Sequence, residues 1–147
     1  MYRQALDKLK EWKNSTSRIP LIIRGARQVG KTWLMKEFGR TLYPKVAYIN
    51  FEGNDRMKHF FEGDLEISRI IKGLNLETEC NIEPENTLII FDEVQEVPRA
   101  LTSLKYFQEN APQYHIIAAG SLLGVALHPE TSFPVGKVSF FELFPLS

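Results

Sequence analysis

The sequence has little cysteine, no excess of either charge and no long apolar run. Cys80 is its single cysteine, which excludes an internal disulfide and suits a reducing compartment. The 18 basic residues balance the 18 acidic ones, so no global field favours nucleic acid or a membrane surface as a partner. No apolar run approaches the ~20 residues of a membrane-spanning helix, and the charged N-terminus is unlike a signal peptide. These absences predict a cytoplasmic protein that spans no membrane.

The length and the alternation of strand-like and helix-like stretches indicate one α/β domain. A chain of 147 residues is long enough to bury roughly 70% of its unfolded surface in a single core. No internal repeat, low-complexity tract or linker interrupts it, so we expect residues 1–147 to form a single domain. Strands that alternate with helices favour a parallel sheet between two layers of helices.

Five apolar or β-branched runs predict strands, at residues 19–24, 45–52, 87–91, 115–119 and 137–143. The spacing of apolar residues predicts helices over residues 2–12, 55–74 and 98–110, with a break near Gly63 in the second, and a short helix over 122–127. A further helix is expected to begin at Gly30 or Lys31 and to end at the turn Tyr43-Pro44. Residues 77–86 and 128–136 are expected to be connections without regular structure.

Residues 25–32 match the phosphate-binding pattern G-x-x-x-x-G-K-[ST], since they read Gly25-Ala26-Arg27-Gln28-Val29-Gly30-Lys31-Thr32. The glycines let the backbone turn so that several N–H groups face one anion at the positive end of the next helix. Lys31 can reach the β- and γ-phosphates of a nucleotide, and the Thr32 hydroxyl can hold Mg²⁺. The alternative is a glycine turn with a surface lysine, but a strand before the motif and a helix after it favour a nucleotide-binding stretch from Gly25 to Trp33. Arg27 either contacts phosphate or points to solvent.

An acidic pair, Asp92-Glu93, follows the apolar strand at residues 87–91. Asp92 is placed to hold a water ligand of Mg²⁺ beside Thr32. Glu93 is placed to polarise the water that attacks a γ-phosphate. The alternative is that the pair ends a strand and caps a helix. With a P-loop upstream, the pair indicates hydrolysis that uses a local carboxylate.

These motifs resemble those of AAA+ ATPases. Residues 25–32 look like the Walker A motif of that family, residues 88–93 like its Walker B motif, and the strand at 115–119 like its sensor-1 strand. Within the family, the chain is similar to a prokaryotic group with an appended C-terminal domain of uncharacterised role. That likeness is carried by the P-loop, by Phe91-Asp92-Glu93-Val94-Gln95 and by Phe144-Pro145-Leu146-Ser147.

The resemblance covers essentially the whole chain, and it implies the fold and the ligands. It implies a three-layer P-loop NTPase sandwich whose five parallel strands lie in the order 5-1-4-3-2, with the site at the carboxyl ends of strands 1 and 3. It also implies binding of ATP or ADP and Mg²⁺-dependent hydrolysis of ATP. No guanine-binding signature is present, which favours adenine.

Two further roles follow from the resemblance. Ser121 would be the polar sensor that reads the γ-phosphate, although a serine in a Gly-Ser turn is an equal alternative. Asn50, at the end of the second strand, would hold the catalytic Glu93 inactive. A strand-end asparagine that caps a turn is equally expected.

The chain departs from the family pattern in its arginines. No arginine follows Arg99, so neither the arginine that usually completes a neighbour's site nor the lid arginine is present, and Lys137 is the only cation near the former position. We therefore expect a minimal core without its lid and C-terminal domain, prone to self-association through the apolar residues around 138–146. A nucleotide-gated binding module with negligible turnover is the rival function, and a small-molecule kinase is a third.

Overall fold

The computed structural model describes residues 2–25, 30–121 and 138–142. The elements of these residues are listed here in chain order: α1 (Tyr2–Asn14), β1 (Leu21–Gly25), α2 (Lys31–Leu42), β2 (Lys45–Asn50), α3 (Asp55–Phe61), α4 (Ile67–Thr78), β3 (Thr87–Asp92), a 3₁₀ helix (Val94–Glu96), α5 (Pro98–Asn110), β4 (His115–Ser121) and β5 (Ser139–Glu142). The predicted short helix at 122–127 and loop at 128–136 fall outside the described residues.

The strands form one five-stranded sheet in the order β2-β3-β4-β1-β5, and every neighbouring pair is parallel. This confirms the order 5-1-4-3-2, read from the other edge. The register places Gly25 of β1 beside Ser121 of β4, and Asn50 of β2 beside Asp92 of β3. The ends of the P-loop strand and of the acidic strand are thus brought to the same edge of the sheet.

Side chains alternate between two apolar cores along the central strands. In β3, Ile89 and Phe91 belong to one core, whereas Leu88 and Ile90 belong to the other. All six residues of β3 are buried, as a parallel strand covered on both faces requires. This alternation explains why the run at 87–91 is continuously apolar rather than alternating with polar residues.

The helices divide between the two faces of the sheet, which confirms the three layers. α1 and α2 supply one core with Ala5, Leu9, Leu34, Met35 and Phe38. α3, α4 and α5 supply the other, chiefly with Met57, Phe61, Ile70, Leu74, Leu101, Leu104 and Phe107. None of the helices in the described part of the chain combines the length and the apolarity that crossing a membrane requires.

The stretch predicted as one broken helix over 55–74 is two helices, with the expected break at Gly63. Arg99 of α5 donates to the carbonyls of Phe61 and Gly63 at 2.8 and 2.9 Å, so it satisfies acceptors that the end of α3 leaves open. The second helix runs on to Thr78, past the predicted end at residue 74. Its last turn is polar and is tied to α3 by the Arg56–Glu77 ion pair at 2.8 Å, a contact that apolar spacing cannot reveal.

Candidate nucleotide-binding site

The site begins where β1 ends and α2 starts. Gly30 directly precedes α2 and adopts φ 89° and ψ 20°, a left-handed conformation that glycine reaches without a Cβ clash. This explains the second glycine of the motif. Gly25 is the last residue of β1. Four predicted nucleotide-binding residues lie outside the described part of the chain: Ala26, Arg27, Gln28 and Val29.

Lys31 is the first residue of α2, and its side chain is buried although it is charged. Only 8% of the residue is exposed. Its Nζ donates a hydrogen bond of 2.8 Å to the Gly25 carbonyl, across the mouth of the loop. A buried ammonium is costly unless it is hydrogen-bonded, and here it lies at the N-terminus of α2, where anions are stabilised. The start of α2 therefore places a cation beside helix N–H groups.

Thr32 and Asp92 meet at this edge of the sheet. The Thr32 hydroxyl donates to Asp92 Oδ2 at 2.6 Å, across 60 residues of sequence. Asp92 is 3% exposed, and its other oxygen, Oδ1, accepts the Glu93 backbone N–H at 3.0 Å. The structure thus brings together the two residues that were predicted to share a metal ion.

Tyr48 of β2 is part of the same cluster, and sequence reasoning did not include it. Its hydroxyl donates to Asp92 Oδ2 at 2.6 Å, and Lys36 Nζ of α2 lies 4.1 Å from the centre of its ring. Burial, followed by the hydrogen bond to Asp92, raises the pKa of Tyr48, so the phenol remains a donor. In the sequence Tyr48 was only a strand-forming aromatic; its position two residues before the end of β2 was the available signal.

Glu93 adopts a left-handed backbone, with φ 52° and ψ 47°, between β3 and the 3₁₀ helix. A non-glycine residue rarely takes this conformation, and among the described residues Glu79 and Glu85 share its positive φ. Gln95, which is 7% exposed, donates from Nε2 to Glu93 Oε1 at 3.2 Å. The 3₁₀ helix was not predicted, and it is the element that places the amide of Gln95 against the Glu93 carboxylate.

Three other predicted residues border the cluster. The Asn50 side-chain carbonyl accepts the Glu52 N–H at 2.9 Å, so its described contact is the turn cap that was the alternative reading. Ser121 ends β4 with its backbone paired beside Gly25. Trp33 follows Thr32 on α2 and is 51% exposed. The roles assigned to these residues stay predictions.

The donor set at Thr32 and Asp92 fits Mg²⁺. A hydroxyl and a carboxylate are hard oxygen ligands, and Mg²⁺ is commonly held by one or two such groups together with phosphates and waters. Among the described residues, no group of three His, Cys, Asp or Glu side chains could hold a metal ion by itself. The site therefore suits an ion that arrives with a phosphate ligand.

The fold, the motif at residues 25–32 and the contact between Thr32 and Asp92 define a P-loop nucleotide-binding protein. More narrowly, the chain belongs to the AAA domain family, whose model matches residues 17–147. It is therefore a nucleotide-binding module of the AAA+ type.

Two solved structures are similar in fold. The Aeropyrum pernix Orc1 protein in complex with DNA superposes with a TM-score of 0.59 and 15% identity, over 97% of this chain and 43% of that chain. A DNA replication initiation factor gives a TM-score of 0.56 and 19% identity, over 96% of this chain and 45% of that chain. This chain spans less than half the length of either. No curated protein matches its sequence.

Proposed function

We propose that this AAA+ module hydrolyses ATP to ADP and phosphate in a Mg²⁺-dependent reaction. The proposal is carried by the 2.6 Å contact between Thr32 Oγ1 and Asp92 Oδ2, because it joins the end of the P-loop to the acidic strand. A hydroxyl and a carboxylate that converge beside a buried lysine suit a metal–phosphate complex. We also propose that residues 1–147 form one core domain.

Each residue of the cluster has a definite part in this proposal. Lys31 and the N–H groups at the start of α2 hold the β- and γ-phosphates, and Thr32 and Asp92 hold the metal. Mg²⁺, when bound, would supply positive charge to the phosphate oxygens as negative charge shifts to the leaving group. Glu93 accepts a proton from water as the water oxygen bonds to the γ-phosphorus and the bond to the β–γ bridging oxygen breaks.

The rival function is a module that binds ATP or ADP and turns over negligibly. One observation favours it: the sequence has no arginine after Arg99, so none lies just before β5, where AAA+ proteins usually carry the arginine that completes a neighbouring subunit's site. In this rival function, Glu93 and Gln95 hold the turn after β3 and take no part in chemistry. As in the sequence-based predictions, Ser121 would read the γ-phosphate, Asn50 would hold Glu93 inactive and Trp33 would belong to the nucleotide-binding stretch.

The test compares phosphate release with nucleotide affinity in two glutamine variants. Glu93→Gln keeps the size and polarity of the side chain but removes the base, so we expect MgATP binding within about twofold of wild type and hydrolysis lowered ~10²-fold or more. Glu96→Gln, three residues on and exposed, is the matched control and should hydrolyse like wild type. Equal turnover in Glu93→Gln and Glu96→Gln would place the base elsewhere. Tight binding with no phosphate release from wild type would favour the rival.

A further inference from the structure

Of the two side chains that donate to Asp92, Tyr48 is the one that belongs to neither sequence motif. It lies on β2, the edge strand beside β3, and pairs with Ile90 in the register. Its ring is directed to the face of the sheet that α2 covers, since it packs with the core on that side. From there its hydroxyl reaches Asp92 Oδ2 at 2.6 Å.

The hydrogen bonds of Asp92 show what this contact adds. A carboxylate offers about four acceptor positions. Thr32 and Tyr48 fill two on Oδ2, and the Glu93 N–H fills one on Oδ1. The donors come from α2, from β2 and from the turn after β3. Of the two hydroxyls, that of Thr32 would have a second task in the proposed function, because its oxygen would bind the metal, whereas the Tyr48 hydroxyl has no such task.

The ring of Tyr48 is itself held in place. Lys36 Nζ lies 4.1 Å from the ring centre, on the same face of α2 as Thr32, one helical turn on. A phenol carries its hydroxyl on a rigid ring, so a fixed ring gives a fixed donor. Tyr48 therefore presents one donor at one position, independently of the P-loop.

We propose that Tyr48 is a positioning residue: by its hydrogen bond to Oδ2 it fixes the Asp92 carboxylate in the orientation in which this group would hold the metal of MgATP. This inference rests on the proposed function. Hydrogen-bond partners of metal-binding carboxylates orient them, and removing such a partner commonly costs 10- to 100-fold in metal affinity. The effect of Tyr48 should therefore appear in the metal dependence of nucleotide binding, and the nucleotide affinity without metal should be unaffected.

The experiment measures how much Mg²⁺ strengthens the binding of a non-hydrolysable ATP analogue. Calorimetry gives the affinity of adenylyl imidodiphosphate with Mg²⁺ and with EDTA, and the ratio of the two is the enhancement. Tyr48→Phe removes only the hydroxyl. We expect its enhancement to be about tenfold smaller than that of wild type, with the EDTA affinity within about twofold.

Tyr43→Phe is the matched control, because it also removes a tyrosine hydroxyl that makes a 2.6 Å hydrogen bond. The partner of that hydroxyl is His115 Nδ1. This variant should lower the melting temperature and leave the enhancement unchanged. If Tyr48→Phe retains the wild-type enhancement, or lowers both affinities in proportion with stability, the positioning role is overturned while the proposed function stands. If wild type shows no enhancement by Mg²⁺, the proposed function fails and the inference fails with it.

Discussion

The structure places two tyrosine hydroxyls at opposite ends of the layer between α2 and the sheet. At the carboxyl ends of the strands, Tyr48 donates to Asp92 at 2.6 Å. At the amino ends, the Tyr43 hydroxyl lies 2.6 Å from Nδ1 of His115, the first residue of β4. The two bonds have the same length, but the first involves a carboxylate and the second an imidazole.

The surroundings of the two bonds differ in charge. Asp92 receives three donors, and the cation Lys31 directly precedes one of them, Thr32, at the start of α2. His115 instead lies among aromatic rings, edge-on to Trp12 at 5.9 Å, and burial is the main cause that lowers its pKa to about 4. The carboxyl end of the sheet therefore gathers hydrogen-bond donors around a carboxylate, as a metal–phosphate site requires, whereas at the amino end burial and the nearby Arg18 and Lys13 keep His115 uncharged.

The largest effect that this comparison predicts concerns Lys31→Ala. Charged hydrogen bonds contribute ~1.5–3 kcal/mol, so we expect the affinity for ATP to fall about ten- to a hundredfold in calorimetry. The melting temperature should stay close to that of wild type, because an alanine at this position leaves the apolar cores intact. Lys105→Ala, on α5 at the other face of the sheet, is the control and should bind like wild type. Unchanged affinity in Lys31→Ala would refute the P-loop assignment.

The acid stability of the amino end is the second prediction. His115 is neutral in the folded protein because burial, and then the positive charges of Arg18 and Lys13, lower its pKa from 6.5 to about 4. The unfolded chain therefore binds the extra proton first, so the stabilisation is complete above pH 6.5 and is lost as the pH falls towards 4. We expect a loss of about 2 kcal/mol at pH 5 relative to pH 8, measured by urea unfolding.

Two histidine-to-glutamine variants test whether His115, rather than other groups that bind protons in this pH range, causes the loss of stability in acid. His115→Gln keeps a side chain that can bond to Tyr43 but cannot titrate, so its stability should fall less steeply between pH 6.5 and 4. His59→Gln, on an exposed side chain of α3, should keep the wild-type slope. If the slope in His115→Gln equals that of wild type, His115 does not carry the acid sensitivity.

The fold was largely predictable because its signals are local. Continuous apolar runs are typical of covered parallel strands, and β3 is buried throughout as its sequence indicates. The order of the strands came from the resemblance of the motifs to a family and not from periodicity. The end of α4 was missed because its last turn carries Asn75 and Glu77, whose hydrogen-bond partners Ile82 and Arg56 lie elsewhere in the chain.

The site was predictable only where a motif defines it. Thr32 and Asp92 lie side by side, since motif spacing encodes the meeting of a loop and a strand end, while the roles of Lys31, Thr32 and Asp92 toward a nucleotide stay predictions. Tyr48 and Gln95 could not be found this way. The contact of Tyr48 depends on β2 pairing beside β3, and that of Gln95 on the left-handed turn at Glu93, and neither is visible in a short window of sequence.

The smallest predicted effect concerns the lysines that lie over the two tyrosine rings. Lys36 Nζ is 4.1 Å from the centre of the Tyr48 ring, and Lys13 Nζ is 5.1 Å from that of Tyr43. A cation over an aromatic ring at an exposed site contributes about 0.5–1 kcal/mol, so Lys36→Met and Lys13→Met should each lower the free energy of unfolding by roughly that amount. Urea unfolding at pH 8 measures this loss.

The two lysine variants should differ in nucleotide binding. Lys36→Met loosens the ring that presents the Tyr48 hydroxyl, so it should lower the Mg²⁺ enhancement of ATP-analogue binding by about two- to threefold, less than the loss of the hydroxyl itself. Lys13→Met acts at the amino end and should leave the enhancement unchanged. Equal enhancements in the two variants would mean that Tyr48 holds Asp92 without help from Lys36. A smaller enhancement in Lys13→Met would mean that the amino end of the layer also affects metal binding at the carboxyl end.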